Sequence, residues 1–158
     1  MKKVELLFYT IRSPYDMAHI VQIAESIDAV VYTAGDNCLS FDIPKVQSKV
    51  RSWNIKDGFK VKHHYATFEE AVSDLKSQGK YLVGTSGEVD KIFYEEKLPA
   101  DKDVVLVFGT ESTGLTPKMR DMLDTVVKLP MDKSKVDFLT YPVAVSAMAY
   151  ELYRRYHY

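Results

Sequence analysis

The hydrophobic and polar positions alternate along this chain between two kinds of stretch. Short apolar runs bounded by Gly, Pro, Asp or Asn read as strands, and longer stretches with apolar residues three and four apart read as amphipathic helices. Residues 4–9 open as a β-rich run and predict strand one. After the loop at 10–15, Asp16 is a plausible N-cap, and Met17, Ile20, Val21, Ala24 and Ile27 follow at helical spacing. Residues 29–35 predict strand two, and 36–43 read as irregular. Ile43-Pro44 starts a helix carrying Val46, Val50 and Trp53. The alternation over 59–63 predicts strand three. Thr67 caps a helix over 68–78, with Glu69 and Glu70 at its positive end and Gly79 closing it. Residues 81–85 predict strand four, 88–102 form a charged connection, and 104–108 predict strand five. Thr116-Pro117 starts a short helix running to 123, residues 125–129 predict strand six, 132–137 are a polar loop, and the last helix covers about 141–156. Strands alternating with helices predict an α/β fold: a mostly parallel sheet with helices on both faces.

The apolar run at 104–108 passes into Gly109-Thr-Glu-Ser-Thr-Gly114, a strand, loop and helix start in succession. In open α/β sheets, ligands sit where strand C-termini meet such loops. Glu111 is the one carboxylate of that loop. The 158 residues suit one domain with a sizeable core. The 21 basic and 22 acidic side chains leave the chain near neutral, which excludes a wholesale electrostatic nucleic-acid binder but not a local basic patch. The clusters Lys45/Lys49/Arg51 and Lys56/Lys60/Lys62 are ordinary solvated faces, or the first phosphate contacts if RNA binds. Cys38 is the only cysteine, so no intrachain disulfide and no cysteine-built metal site is expected, and a reducing cytoplasm fits. No signal peptide, membrane span, P-loop, GxGxxG or zinc spacing is apparent. Five of the eleven tyrosines follow residue 140. With Arg154 and Arg155 they make the last helix either a core helix with a capped end or a dimer interface.

Three segments together carry a family resemblance. Leu106-Val-Phe-Gly-Thr-Glu-Ser-Thr-Gly-Leu115 resembles the "FGxExxGL" motif of SpoU/TrmH-type RNA 2′-O-methyltransferases of the SPOUT superfamily. Val127-Lys-Leu-Pro-Met131 resembles the "IPM" element that follows it. The segment from Phe138-Leu-Thr to Tyr150-Glu-Leu-Tyr-Arg-Arg155 resembles that family's "SLN" stretch and its "YE..R" helix. The likeness is specific over the C-terminal part and weak in the N-terminal half. It implies a single SPOUT methyltransferase-like domain over 1–158, with a C-terminal trefoil knot and cofactor region at about 81–158 and no added RNA-binding domain. It implies S-adenosyl-L-methionine (SAM) as cofactor, with Val83, Thr85, Gly109, Leu129, Met131 and Leu139 as cofactor-binding positions. Gly109 is expected to remove bulk where the ligand passes. It further implies a homodimer paired through the last helix, tRNA or rRNA as partner, and methylation of a ribose 2′-hydroxyl.

The chain also departs from the family pattern. At the first helix, where the family has roughly Asn-x-Gly-x-x-x-Arg, this chain has Asp16, Ala18 and Gln22. Where the family has Ser-Leu-Asn, it has Phe138-Leu139-Thr140. The retained chemistry points to Glu111 and Thr140 as catalytic candidates. Arg12 is either the guanidinium that replaces the missing Arg or a solvated loop charge. His19 is either a spare base or a surface histidine. The leading expectation is therefore a SAM-dependent RNA methyltransferase. The alternative is a catalytically degenerate SPOUT-fold module that binds RNA or protein.

Overall fold

The computed structural model describes residues 2–158. Six strands form one sheet in the order β3-β2-β1-β5-β4-β6: β1 Glu5–Phe8, β2 Val30–Ala34, β3 His63–Tyr65, β4 Tyr81–Thr85, β5 Val104–Phe108 and β6 Thr125–Val127. Every pairing is parallel. The helices are α1 Pro14–Ser26, α2 Pro44–Ser52, α3 Phe68–Ser77, α4 Pro117–Arg120 and α5 Tyr141–His157, with a 3₁₀ turn over Phe93–Glu95. This is the α/β architecture that the alternating pattern predicts.

The central strands β1 and β5 are buried on both faces, which is why they read as unbroken apolar runs. Their side chains alternate across the sheet. Leu6, Phe8, Leu106 and Phe108 join the core beneath α1, α2 and α5. Leu7, Val105 and Val107 join a second core with Phe68, Ala71, Val72 and Leu75 of α3. Phe8 and Phe108, paired in register, stack with ring centroids 5.3 Å apart.

Several boundaries differ from the sequence reading. Helix α1 begins two residues before Asp16, because the Ser13 hydroxyl accepts from the Asp16 N–H (3.3 Å) and Pro14 takes the first helical position. Strand three moves from 59–63 to His63–Tyr65, since Phe59 packs edge-on against Phe41 (5.0 Å) and Val61 against the core below α1, outside the ladder. Strand β6 stops at Val127, and α4 spans only Pro117–Arg120. Within α5, Val145, Met148, Ala149 and Leu152 face the core, while Val143 and Tyr150 are exposed.

Two polar devices hold the N-terminal edge. The buried Glu5 carboxylate accepts from the Tyr32 hydroxyl (2.8 Å) and from Lys80 Nζ (2.9 Å). Arg155, near the end of α5, donates to the carbonyls of Phe93 (2.6 Å) and Glu96 (2.8 Å), lies over the Phe93 ring, and is held by Glu151 at 2.9 Å. That arginine ties the β4–β5 connection to the last helix. Removing one partner of a buried ion pair leaves the other charge uncompensated. Lys80→Ala should therefore destabilise the fold by about 3 kcal/mol and lower the thermal midpoint by roughly 6–12 °C, measurable by circular dichroism.

Candidate functional site

The loops after β4, β5 and β6 converge at the C-terminal edge of the sheet and enclose a cavity of about 430 Å³. That volume lies within the range of small-molecule pockets, about 300–1,000 Å³. Phe108, Val127 and Met148 lie against it from the core, and the rest of its wall comes from the three loops and the start of α5. The loops are tied to one another. The Ser86 N–H donates to Val127 O (3.0 Å), Lys133 Nζ donates to Gly87 O (3.3 Å), and the Arg120 guanidinium donates to Ser86 Oγ (2.8 Å) and Glu88 Oε2 (3.1 Å). From α5, the Tyr141 hydroxyl donates to Gly109 O (2.8 Å) while its ring packs on Phe8 and Phe108. Burial, reinforced by the charge of Glu111, pushes the Tyr141 phenol well above its ordinary value, so it remains a donor.

The β5 loop closes on itself. The Gly114 N–H donates to Thr110 O (2.9 Å), and Gly114 has φ +67°, a left-handed conformation that suits glycine. A Cβ at Gly109 would collide with the backbone of Gly114 and Leu115. Gly109 is thus required by the loop's own closure, a different reason from the ligand clearance expected from sequence. Thr116 then caps α4 by accepting from the Met119 N–H (3.2 Å).

Of the residues singled out in the sequence, Thr85, Gly109, Glu111, Leu129, Met131 and Leu139 line the cavity. Val83 does not: it is fully buried in β4, facing the core beneath α1. Thr140 is exposed at the N-cap of α5 and makes no side-chain capping bond. Arg12 is exposed and does not line the cavity, but its backbone is fixed there. Glu111 Oε1 accepts from the N–H groups of Arg12 (2.6 Å) and Ser13 (3.3 Å), so one carboxylate both lines the cavity and anchors the start of α1. Gln22 is exposed and Ala18 buried on α1, and Phe138 stands at the cavity rim with 72% of its surface exposed. Sequence reasoning missed Tyr141 and the β4-loop residues Ser86 and Gly87 as lining groups; a phenol pinned to a distant carbonyl leaves no local pattern.

It also missed a pairing of carboxyls. Asp16, in the first turn of α1, lies within hydrogen-bonding reach of Glu111. Burial, then the hydrogen bond with Glu111 and its charge, raise the Asp16 carboxyl from 3.8 to about 7. Two like charges this close are relieved by a proton on one of them. Among the described residues, no group of three or more His, Cys, Asp or Glu side chains is placed to hold a metal ion.

Comparisons with known proteins give one family and one shared fold. Residues 3–150 match the model of the SpoU rRNA methylase family. A Staphylococcus haemolyticus protein assigned to the TrmH family of tRNA/rRNA methyltransferases is 32% identical over 88 residues, covering 56% of this chain and 34% of that one. The match thus spans about a third of that relative's length. A structure described as bearing on 2-OH methylation of C/U34 on tRNA superposes with TM-score 0.81 at 22% identity, covering 98% of this chain and 97% of that one. An AdoMet-bound rRNA methyltransferase from Sinorhizobium meliloti superposes with TM-score 0.81 at 19% identity, covering 99% of this chain and 57% of that one.

The carboxyl pair makes stability depend on pH. With its folded pKa raised to about 7, Asp16 holds its proton more tightly when folded, so its contribution favours folding at low pH and is lost as pH rises from about 4 through 7. Asp16→Asn keeps a donor toward Glu111 and never ionises. Its melting temperature should match the parent near pH 3.5, below the unfolded pKa, and exceed it increasingly up to pH 8. The gain is roughly 1 kcal/mol after discounting for solvent screening, or about 2–4 °C.

Proposed function

The chain belongs to the SpoU rRNA methylase family, and we propose that it is a methyltransferase that moves a methyl group from SAM to the ribose 2′-hydroxyl of a tRNA or rRNA nucleotide. The observation that carries this reading is the cavity built jointly by the loops after β4, β5 and β6, the last two of which bear family-like motifs. Its residues fit the cofactor. Leu129, Met131 and Leu139 offer an apolar slot for adenine, while Thr85 and the Gly109 loop add polar groups at the cavity wall. When bound, the cofactor supplies an electrophilic methyl group on a positively charged sulfur.

The chain's own residues have distinct tasks in this reading. The buried floor of Phe108 and Met148 keeps water from that end of the cavity. Glu111 is a positioning residue that fixes the Arg12–Ser13 backbone. The Arg12 guanidinium has no hydrogen bond or ion pair among the described residues, so it is available to an RNA phosphate and to the charge developing on the ribose oxygen. Thr140, whose hydroxyl does not cap its helix, is available to the ribose.

The same reading includes a single domain with a trefoil knot over about 81–158 and a cytoplasmic location. Among the described residues no helix is long and apolar enough to cross a membrane. A homodimer through α5 belongs to it as well, supported by the exposed Val143 and Tyr150. The second reading, a degenerate module that binds RNA or protein without transferring methyl groups, is favoured by Gln22, a neutral side chain where the family carries an arginine.

Calorimetry should detect SAM binding, and Gly109→Val should weaken it at least tenfold by preventing loop closure. Labelled SAM, the protein and bulk RNA from cells lacking it should yield 2′-O-methylated nucleotides. Arg12→Ala should slow that transfer roughly tenfold or more while leaving cofactor binding unchanged. Cofactor binding without any RNA labelling would favour the degenerate reading. Light scattering should report a dimer.

A further inference from the structure

A second cleft, of about 530 Å³, lies between the start of α1 and α2 and is lined by Ser13, Pro14, Tyr15, Pro44, Lys45 and Lys49, with Ser48 beside them. It adjoins the first cavity through one short piece of backbone. Ser13, which lines the second cleft, is bound through its N–H to Glu111, which lines the first. Two features set it apart from an ordinary surface hollow.

One is aromatic. Tyr15 is 56% exposed, yet its ring is braced by others: His19 at 4.5 Å edge-on and Trp53 at 6.4 Å, with His19 and Trp53 themselves 4.7 Å apart. A tyrosine held rigid while mostly open to water presents flat, preorganised area at little entropic cost. The other is charge. Helix α2 carries Lys45, Lys49 and Arg51 and no acidic residue. Neither Lys45 nor Lys49, nor Arg12 next to the cleft in sequence, makes an ion pair among the described residues. Unpaired cations beside an exposed, braced ring match the recognition of single-stranded nucleic acid, where bases stack on aromatic faces and phosphates meet lysines.

We propose that the α1–α2 cleft binds single-stranded RNA, with one base packed against Tyr15 and neighbouring phosphates held by Lys45 and Lys49. The inference rests on the RNA methyltransferase reading and extends it: the strand would cross the Arg12–Ser13 backbone, presenting an adjacent nucleotide to the first cavity.

The chain has one tryptophan, and Trp53, 6.4 Å from the Tyr15 ring, reports on the cleft through that contact. Titrating the intact protein with a short mixed-sequence single-stranded RNA should quench its fluorescence. Tyr15→Ala should weaken binding roughly tenfold. Lys45→Ala with Lys49→Ala should weaken it and reduce the slope of log affinity against log salt by about 1.4, roughly 0.7 per phosphate contact on a single strand. Both variants should remain folded by circular dichroism, Tyr15→Ala melting somewhat lower for the lost ring contacts, and both should bind SAM as the parent does. RNA binding by the parent that neither variant weakens would overturn the proposal and leave the methyltransferase reading standing. Loss of the dimer in Tyr15→Ala by light scattering would also overturn it, since the cleft would then be a self-association surface. A parent that fails to bind SAM would instead count against the underlying reading, whatever the cleft does.

Discussion

The carboxylate of Glu111 joins two parts of the chain that are ninety-eight and ninety-nine residues apart. It leaves the loop after β5 and accepts hydrogen bonds from the backbone at the entrance to α1, across the point where the strand order reverses between β1 and β5. Around it the site falls into place. The Gly109–Gly114 loop closes behind it, α1 is anchored in front of it, and beside it the Asp16 carboxyl keeps its proton to higher pH than usual. A carboxylate accepting two backbone N–H groups is a strong, directional anchor. The same group is therefore scaffold and cavity wall at once, which separates Glu111 from the carboxylates on the solvated surface.

The two edges of the sheet treat buried charge differently. At the N-terminal edge Glu5 is neutralised by Lys80 and hydrogen-bonded by Tyr32. At the C-terminal edge Asp16 faces another carboxylate, and burial together with that neighbour lifts its titration toward neutrality. One arrangement stabilises, while the other stores repulsion next to a cavity. Perturbed titration concentrates where chemistry is done, and this asymmetry fits a fold whose ligand face lies at the strand C-termini.

Much of this was legible in the chain itself. Apolar runs at β1 and β5 announced buried parallel strands, and Thr67, Thr116 and Pro117 marked helix starts that the structure retains. Six of the nine residues singled out for the site, Thr85, Gly109, Glu111, Leu129, Met131 and Leu139, line one cavity. What escaped was set by tertiary packing. Phe59 and Val61 alternate like a strand because they pack on the core from a loop. Asp16 resembled an N-cap, but Ser13 with Pro14 offered the better start. Val83 carries the right motif position on a strand that turns it inward. The Asp16–Glu111 pair could not be seen at all, since nothing local marks two carboxyls, ninety-five residues apart, that meet at the C-terminal edge of the sheet.

The arginine near the end of α5 has a temporal consequence. Arg155 holds the carbonyls of Phe93 and Glu96, yet it is synthesised about sixty residues after them. On the ribosome, where domains assemble as the chain emerges, the β4–β5 connection must wait for the final helix before its backbone finds these partners. Vectorial synthesis thus leaves these two carbonyls without their guanidinium partner until α5 has emerged, so the connection and the helix are fixed together rather than in turn.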